Sequence, residues 1–248
     1  MPQTSNDWLD PAAAAPDATA RFYDAVAPGY DAQLNGRTDV DNPRLREAFC
    51  QRVAAAAGPG ASILDFGCGT GIDAAWYAAR GHRVHAYDLS PGMMSVLRER
   101  CGIEIAAGRI TTAAGPLEDM ERALCAGGPV AAIAANFAVL NHVRDPGALL
   151  QRLAVHLQPG GALVANVLNP FYGRDMRRGW WWRSALRSLG QGSIRMEGRV
   201  TTYRHFMGSL RRAAAPAFVI ESVCAADGRS PFGSLGANHL FVQFRRRS

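Results

Sequence analysis

The stretch Ile63-Leu64-Asp65-Phe66-Gly67-Cys68-Gly69-Thr70-Gly71 constrains this chain more than any other, because an apolar run ends in an acid and opens at once into alternating glycines. Residues 61–66 have the length and apolarity of a buried strand, whereas 72–80 have helical character, so the glycines occupy a strand-to-helix turn. Glycine adopts positive φ without strain and has no Cβ, which lets the backbone lie directly against a ligand. Val84-His85-Ala86-Tyr87-Asp88 follows as a second apolar strand that also ends in an acid.

Around this nucleus, strand and helix signals alternate. Residues 45–57 read as a helix ending at Gly58-Pro59-Gly60. After the first strand come a helix at 72–80, a strand at 83–88, and a helix running to Arg100. Ser90-Pro91 opens that last helix as an N-cap followed by proline at the first helical position. The chain continues with a third strand at 103–107, a loop at 115–120 into a fourth helix, and a fourth strand at 130–136. A helix at 146–157, a turn at 158–161 and a fifth strand at 162–168 complete the series. Five alternations predict an α/β fold, a Rossmann-like doubly wound sheet with five parallel strands.

Outside this series the rhythm differs. Residues 1–20 read as a mobile leader, and 21–248 as a single domain. Its first part, 21–44, is an N-terminal lid in which Tyr23-Asp24 and Tyr30-Asp31 repeat at an interval of seven. Pro28 falls between them, so the segment reads as a short helix followed by irregular chain. Residues 171–215 read as an inserted cap containing Trp180-Trp181-Trp182, many arginines and a helix at 205–214. Residues 217–223 and 239–244 read as an antiparallel C-terminal pair joined by a loop rich in Gly, Ser and Pro.

Composition narrows the setting. Every basic side chain is arginine, 27 in all, and arginines far outnumber acids beyond Phe171. Five scattered cysteines form no C-x-x-C pair, so neither a disulfide framework nor a zinc site is indicated and no metal is expected. A reducing, cytoplasmic compartment fits that usage. The N-terminus shows no basic region followed by an apolar core, so no signal peptide is read there. Residues 123–140 carry no charge, but Gly127-Gly128-Pro129 and Asn136 interrupt them; they read as a helix end, a turn and a buried strand, and no membrane partner is expected.

Ligands of open α/β sheets bind beyond the carboxyl ends of the strands, where Asp65, the glycine turn and Asp88 lie. Asp88 stands where a carboxylate accepts hydrogen bonds from both ribose hydroxyls. A dinucleotide site would read G-x-G-x-x-G, with pyrophosphate at the helix N-terminus. Here Gly71 comes one residue early, and Asp65 would repel an anion. A cationic nucleoside suits the site better.

At these residues the sequence resembles the class I S-adenosylmethionine-dependent methyltransferases. The resemblance rests on Leu64 to Gly71, on Asp88-Leu89-Ser90-Pro91-Gly92-Met93, and on Leu153 with Gln158-Pro159-Gly160-Gly161, and spans roughly residues 23–168. It implies S-adenosylmethionine as cofactor and S-adenosylhomocysteine as product. By that resemblance Gly67, Cys68 and Gly69 approach the methionine moiety with backbone, Asp65 orients its ammonium, and Asp88 holds the ribose diol. Leu89 and Met93 pack on adenine, the Leu117 N–H meets a ring nitrogen, and Asn136 and Phe137 flank the carboxyl and the reactive methyl. Tyr23 and Tyr30 match an N-terminal arm that closes over the cofactor.

Methyl transfer from a sulfonium needs in-line alignment, so proximity and orientation supply most of the rate. A base is needed only where the acceptor loses a proton, and His142, His205 and Tyr203 are the candidates. The expected acceptor is a small molecule, methylated at O, N or C. An aromatic-lined pocket in the cap, with arginines drawing in a carboxylate, a phosphate or an acidic carrier protein, would receive it. RNA bound by arginine and stacked tryptophan is an alternative, although no nucleic-acid module accompanies them. Asn169-Pro170-Phe171-Tyr172 looks like the short motif of amino-methyltransferases, but that motif follows the fourth strand and here it follows the fifth. A non-catalytic cofactor-binding protein and a nicotinamide-dependent oxidoreductase are the readings from other classes.

Overall fold

The computed structural model describes residues 17–34, 43–188, 190–226 and 236–248. Residues 1–16 of the expected leader, 35–42 of the lid and 227–235 of the loop rich in Gly, Ser and Pro lie outside the described residues.

The glycine turn behaves as its composition requires. β1 (Ser62–Phe66) runs into it, and α4 (Ile72–Ala79) leaves it from Gly71, whose φ is +83°. β2 (Arg83–Asp88) returns parallel to β1, pairing Asp65 with Ala86, and leads to α5 (Pro91–Arg100). Ser90 caps α5 by accepting a hydrogen bond from the Met93 N–H at 3.0 Å. The expected strand at 103–107 is instead a short helix, α6 (Gly102–Ala106), and the strand β3 is Ile110–Ala114. The apolar alternation there misled: Ile103 is 77 % exposed, whereas Ile110 is buried and pairs with Val84.

α7 (Leu117–Cys125), β4 (Val130–Ala135), a 3-10 turn (Val139–His142), α8 (Pro146–Ala154) and β5 (Leu157–Leu168) follow. The expected turn at 158–161 lies inside β5, where the ladder to β4 shifts register between Val130 and Ala132. Beyond β5, the segment without periodicity resolves into α9 (Gly173–Met176), α10 (Gly179–Arg187) and a hairpin of β6 (Ser193–Met196) and β7 (Thr202–His205). His205 thus ends a strand, and the helix that follows, α11, is Met207–Ala214. α11 places Leu210 and Ala214 in the main core. β8 (Phe218–Ala225) and β9 (His239–Arg246) are antiparallel, with β9 inserted against β5.

The result is a seven-stranded sheet of order β3-β2-β1-β4-β5-β9-β8, parallel over its first five strands. Strand alternation divides its side chains between two cores. Leu64, Phe66, Ile133 and Leu163 pack toward α7, α8 and α11, whereas Ile63, Val84, Ala134 and Val164 pack with Phe49, Tyr77 and Leu97 from the other helices. At the N-terminal edge lie α1 (Asp17–Val26), a 3-10 turn (Ala27–Gly29) and α2 (Tyr30–Leu34), followed by α3 (Pro43–Ala57). No helix among the described residues is long and apolar enough to cross a membrane.

Gly71 closes this arrangement sterically, since a Cβ there would meet Leu97 Cγ at 2.6 Å. Gly71→Ala is therefore expected to destabilise by about 2–4 kcal/mol, combining left-handed strain with overpacking. Gly69→Ala, whose Cβ meets nothing within 4 Å, is expected to cost about 1–2 kcal/mol from strain alone. Urea denaturation of both variants measures the difference.

Candidate active site

Because side chains alternate across a strand, residues separated by two share a face. Asp65 continues the face of Ile63, Asp88 that of Val84 and Ala86, and Asn136 that of Ala132 and Ala134. All three emerge at the carboxyl ends of neighbouring strands, beside one cavity.

The acids differ in their partners. Asp88 accepts hydrogen bonds from the Gly69 N–H and the Ser90 N–H, each at 2.9 Å. Burial, tempered by those two bonds, pushes its pKa up to about 6. Asp65 is buried and its Oδ2 has no hydrogen-bond partner among the described residues. Burial and the neighbouring Asp73 hold its carboxyl well above the usual range. Asp73, in the first turn of α4, is by contrast well served: Arg46 from α3 bonds its Oδ1 and Asn136 Nδ2 donates to its Oδ2 at 2.7 Å. The Arg46 guanidinium also sits 4.3 Å from the centre of the Phe137 ring.

Phe137 and Ala138 follow β4 with φ of +48° and +63°, the positive-φ residues other than glycine among those described. Left-handed backbone at two such residues costs about 1–3 kcal/mol each and persists only where surroundings enforce it. Here Asn136 Oδ1 accepts from the Phe137 N–H at 2.8 Å, and the Asn166 carbonyl accepts from the Ala138 N–H at 3.0 Å. The turn delivers Phe137, Val139 and His142 to the cavity wall.

The Tyr-Asp repeat has a divided purpose. Its tyrosines line the cavity with ring centroids 6.1 Å apart, because the chain passes Pro28 as a 3-10 turn rather than as irregular backbone. Its acids fasten the arm to the site's loops. Asp24 accepts from Ser90 Oγ at 2.6 Å and from the Gly92 N–H at 2.8 Å, and Asp31 accepts from Thr70 Oγ1 at 2.7 Å and from Arg100. Although burial acts to raise it, hydrogen bonds from Arg100 and Thr70 hold the Asp31 carboxyl below its usual value. Tyr23 Oη lies 3.0 Å from His142 Nε2. Burial depresses His142 to about 4 and raises Tyr23, so near neutral pH a neutral imidazole meets an un-ionised phenol.

The structure thus brings Tyr23, Tyr30, Asp65, Asp88, Asn136, Phe137 and His142 to one cavity, with Gly67, Cys68, Gly69, Leu89 and Met93 in its wall. Three expected site residues lie elsewhere. Leu117, expected to act through its backbone N–H, is not among the lining residues, and its side chain is buried in the core with Met120 and Leu124. His205 is buried with Nε2 facing the carbonyls of Leu140 and Val143, at 3.3 and 3.0 Å, which makes that nitrogen a donor and removes it from base chemistry. Tyr203 stacks on His205 beside a second, separate cavity. Trp180, Trp181 and Trp182 do not line the first cavity either; Trp181 is buried, with Nε1 donating to the Pro170 carbonyl. Arg46 and Asp73 escaped the sequence reading, although an acid two residues beyond the glycine turn was a visible signal. No cluster of three metal-ligating side chains occurs among the described residues.

A family model described as a methyltransferase domain matches residues 41–197. The chain belongs to this family and to the class I S-adenosylmethionine-dependent methyltransferases. It is 33 % identical over 160 residues to a demethylmenaquinone methyltransferase of Renibacterium salmoninarum, covering 64 % of this chain and 62 % of that one. It is 32 % identical over 157 residues to a ubiquinone biosynthesis O-methyltransferase of Xanthomonas campestris pv. campestris, covering 61 % and 64 %. The matches span less than two thirds of those relatives' length. In fold it resembles the Burkholderia thailandensis 1,6-didemethyltoxoflavin-N1-methyltransferase with bound 1,6-didemethyltoxoflavin and S-adenosylhomocysteine, at 21 % identity and a TM-score of 0.63 over 95 % of this chain and 92 % of that one. The CcbJ methyltransferase of Streptomyces caelestis shares the fold at 17 % identity and a TM-score of 0.64, over 90 % and 96 %.

Asp65 makes the site's electrostatics testable without ligand. Its folded pKa exceeds the reference 3.8, so stability is lost as pH rises from that value through the folded pKa. Asp65→Asn is expected to raise the melting temperature at pH 7–8 and to leave it nearly unchanged near pH 4, as read by calorimetry.

Proposed function

We propose that this chain transfers a methyl group from S-adenosylmethionine to a small-molecule acceptor, chiefly by holding the two in line. The observation that carries this reading is the pairing in one cavity of a buried carboxyl with an unsatisfied oxygen, Asp65, and a carboxyl held by backbone N–H groups, Asp88. A cation satisfies the first and a ribose diol the second, and S-adenosylmethionine carries both. When bound it supplies a methyl group made electrophilic by the sulfonium.

The chain's own residues divide the remaining work. Asp88 retains lone pairs beyond its two backbone bonds for the diol. Gly69 presents backbone with open space where a Cβ would stand. Asp65 takes the ammonium, and Arg46, steered by Asp73, offers guanidinium N–H groups to a carboxylate. Leu89 and Met93 supply the apolar wall for the base. Tyr23, Tyr30, Phe137 and His142 enclose the other end, where their rings suit a planar acceptor and exclude water. Among the described residues Arg46 is the one arginine in this wall, so the lining favours an acceptor of low charge over the anionic or carrier-bound one. Relatives named for demethylmenaquinone and ubiquinone biosynthesis support a small cyclic acceptor of this kind.

If a proton must leave the acceptor, it passes to Tyr23 Oη while the phenol's own proton moves to Nε2 of His142 in its Nδ1-protonated tautomer. With an ionisable acceptor, His142→Ala and Tyr23→Phe are each expected to lower kcat by about 100-fold. Unchanged turnover of His142→Ala across pH would leave positioning as the whole mechanism.

Calorimetric titration with S-adenosylhomocysteine tests the donor site, and absence of binding rejects the reading. Affinity is expected to fall as pH drops through about 6, where Asp88 takes up its proton. Asp88→Asn is expected to bind at least about tenfold more weakly at pH 8, corresponding to loss of a charge-assisted hydrogen bond, and to lose the part of that pH dependence due to Asp88 while the part due to Asp65 remains.

A further inference from the structure

The face that carries Asp88, Asp65 and Asn136 does not stop at β4. Asn166 continues the face of Val164 in β5, and His239 that of Phe241 in β9. Both are buried. Neither touches the cavity, and neither belongs to a motif that marks the site in the sequence.

Their hydrogen bonds run in one direction. The Phe137 backbone N–H can only donate, so the Asn136 atom that receives it at 2.8 Å is the carbonyl oxygen Oδ1. Asn136 Oδ1 also lies 3.0 Å from Asn166, which must therefore present its amide nitrogen there. That leaves Asn166 Oδ1 as the acceptor facing His239 Nδ1 at 2.9 Å, so His239 carries a proton on Nδ1. At the other end, Asn136 has its amide nitrogen left for Asp73 Oδ2, at 2.7 Å. His239, Asn166 and Asn136 thus donate in series toward Asp73, which Arg46 holds from the opposite side. Asn166 acts twice, because its backbone carbonyl also receives the Ala138 N–H at 3.0 Å.

From this relay we infer that Asn166 and His239 are positioning residues for the methionine end of the donor site. They select one amide orientation of Asn136. That orientation keeps Asp73 and Arg46 in place and supports the left-handed Phe137–Ala138 turn from both sides. With Asn136 turned over, its NH₂ would oppose the Phe137 N–H and its oxygen would oppose Asp73, two repulsions in a buried place. The antiparallel strand β9 thereby contributes to a site whose other strand residues come from the parallel half of the sheet.

The inference rests on the donor-site reading above, so the experiment has one arm that needs no ligand. Hydrogen exchange of the Phe137 and Ala138 amides reads the turn in the free protein. S-adenosylhomocysteine titration and steady-state kinetics read its consequence. Asn166→Leu is expected to speed exchange at both amides and to weaken S-adenosylhomocysteine about tenfold, the size of one lost buried hydrogen bond. It is expected to lower kcat and to raise the acceptor KM together, because the loosened turn carries Phe137, one of the acceptor's walls. His239→Leu is expected to act in the same direction, and His239→Asn, whose amide nitrogen stands where Nδ1 stood, to restore wild-type affinity within about twofold. If Asn166→Leu does not fold, the two His239 variants carry the comparison. Equal affinity and exchange in His239→Leu, His239→Asn and wild type would overturn the inference. Faster exchange in the leucine variants together with no S-adenosylhomocysteine binding by wild type would instead overturn the donor-site reading and leave the relay intact.

Discussion

A carboxylate buried with one oxygen unpartnered is an unfavourable thing to fold, and Asp65 is such a group. Much of what surrounds it follows from that fact. The neighbouring acid Asp73 is neutralised by Arg46 and Asn136, which leaves Asp65 as the place where a cation gains most. Asp88, two strand spacings from β4, is held by backbone N–H groups and keeps lone pairs for neutral hydroxyls. The site therefore separates two kinds of acid by their hydrogen bonds: one short of partners, one oriented by them.

Placing these groups required a sheet whose strands end together and whose alternation brings their last polar residues to one face. Asp88, Asp65 and Asn136 meet that condition on β2, β1 and β4, and Asn166 and His239 extend the row across β5 and β9. The strained Phe137–Ala138 turn depends on the same row. Two left-handed residues without glycine's freedom are sustained by hydrogen bonds from Asn136 and Asn166 on either side. Strain and polarity are concentrated where the cavity needs a rigid wall.

The N-terminal arm closes the cavity by a different device. Asp24 and Asp31 hold it to the start of α5 and to Thr70, and this frees Tyr23 and Tyr30 to face inward. The Tyr23–His142 contact then joins the arm to the turn beyond β4. The arginine-rich insertion takes no part in that wall. Arg204, the insertion's buried arginine among the described residues, donates to Asp175 and to the Asn169 carbonyl, and so secures the insertion to the end of β5.

Local residue pattern determined much of this protein. An apolar run closed by an acid and followed by closely spaced glycines admits a strand, a tight turn and a helix and little else, so β1, β2, the parallel sheet and the two acids at its edge were legible from residue order. Ser90-Pro91 was legible as a helix start for the same reason, since capping acts over three residues. Other features depended on contacts between distant segments. Ile103 and Ile110 carry the same side chain, and only pairing with β2 decided which belongs to a strand. His142 and His205 were both candidate bases by residue type, yet packing gave one an aromatic cavity and the other two backbone carbonyls. Arg46, Asn166 and His239 come from three elements far apart in the chain, and no spacing rule joins them to Asp73 or Asn136. Short-range sterics and capping act between neighbours in sequence, whereas a buried polar group is satisfied by whatever the finished fold brings within about 3 Å, and that is a property of tertiary structure alone.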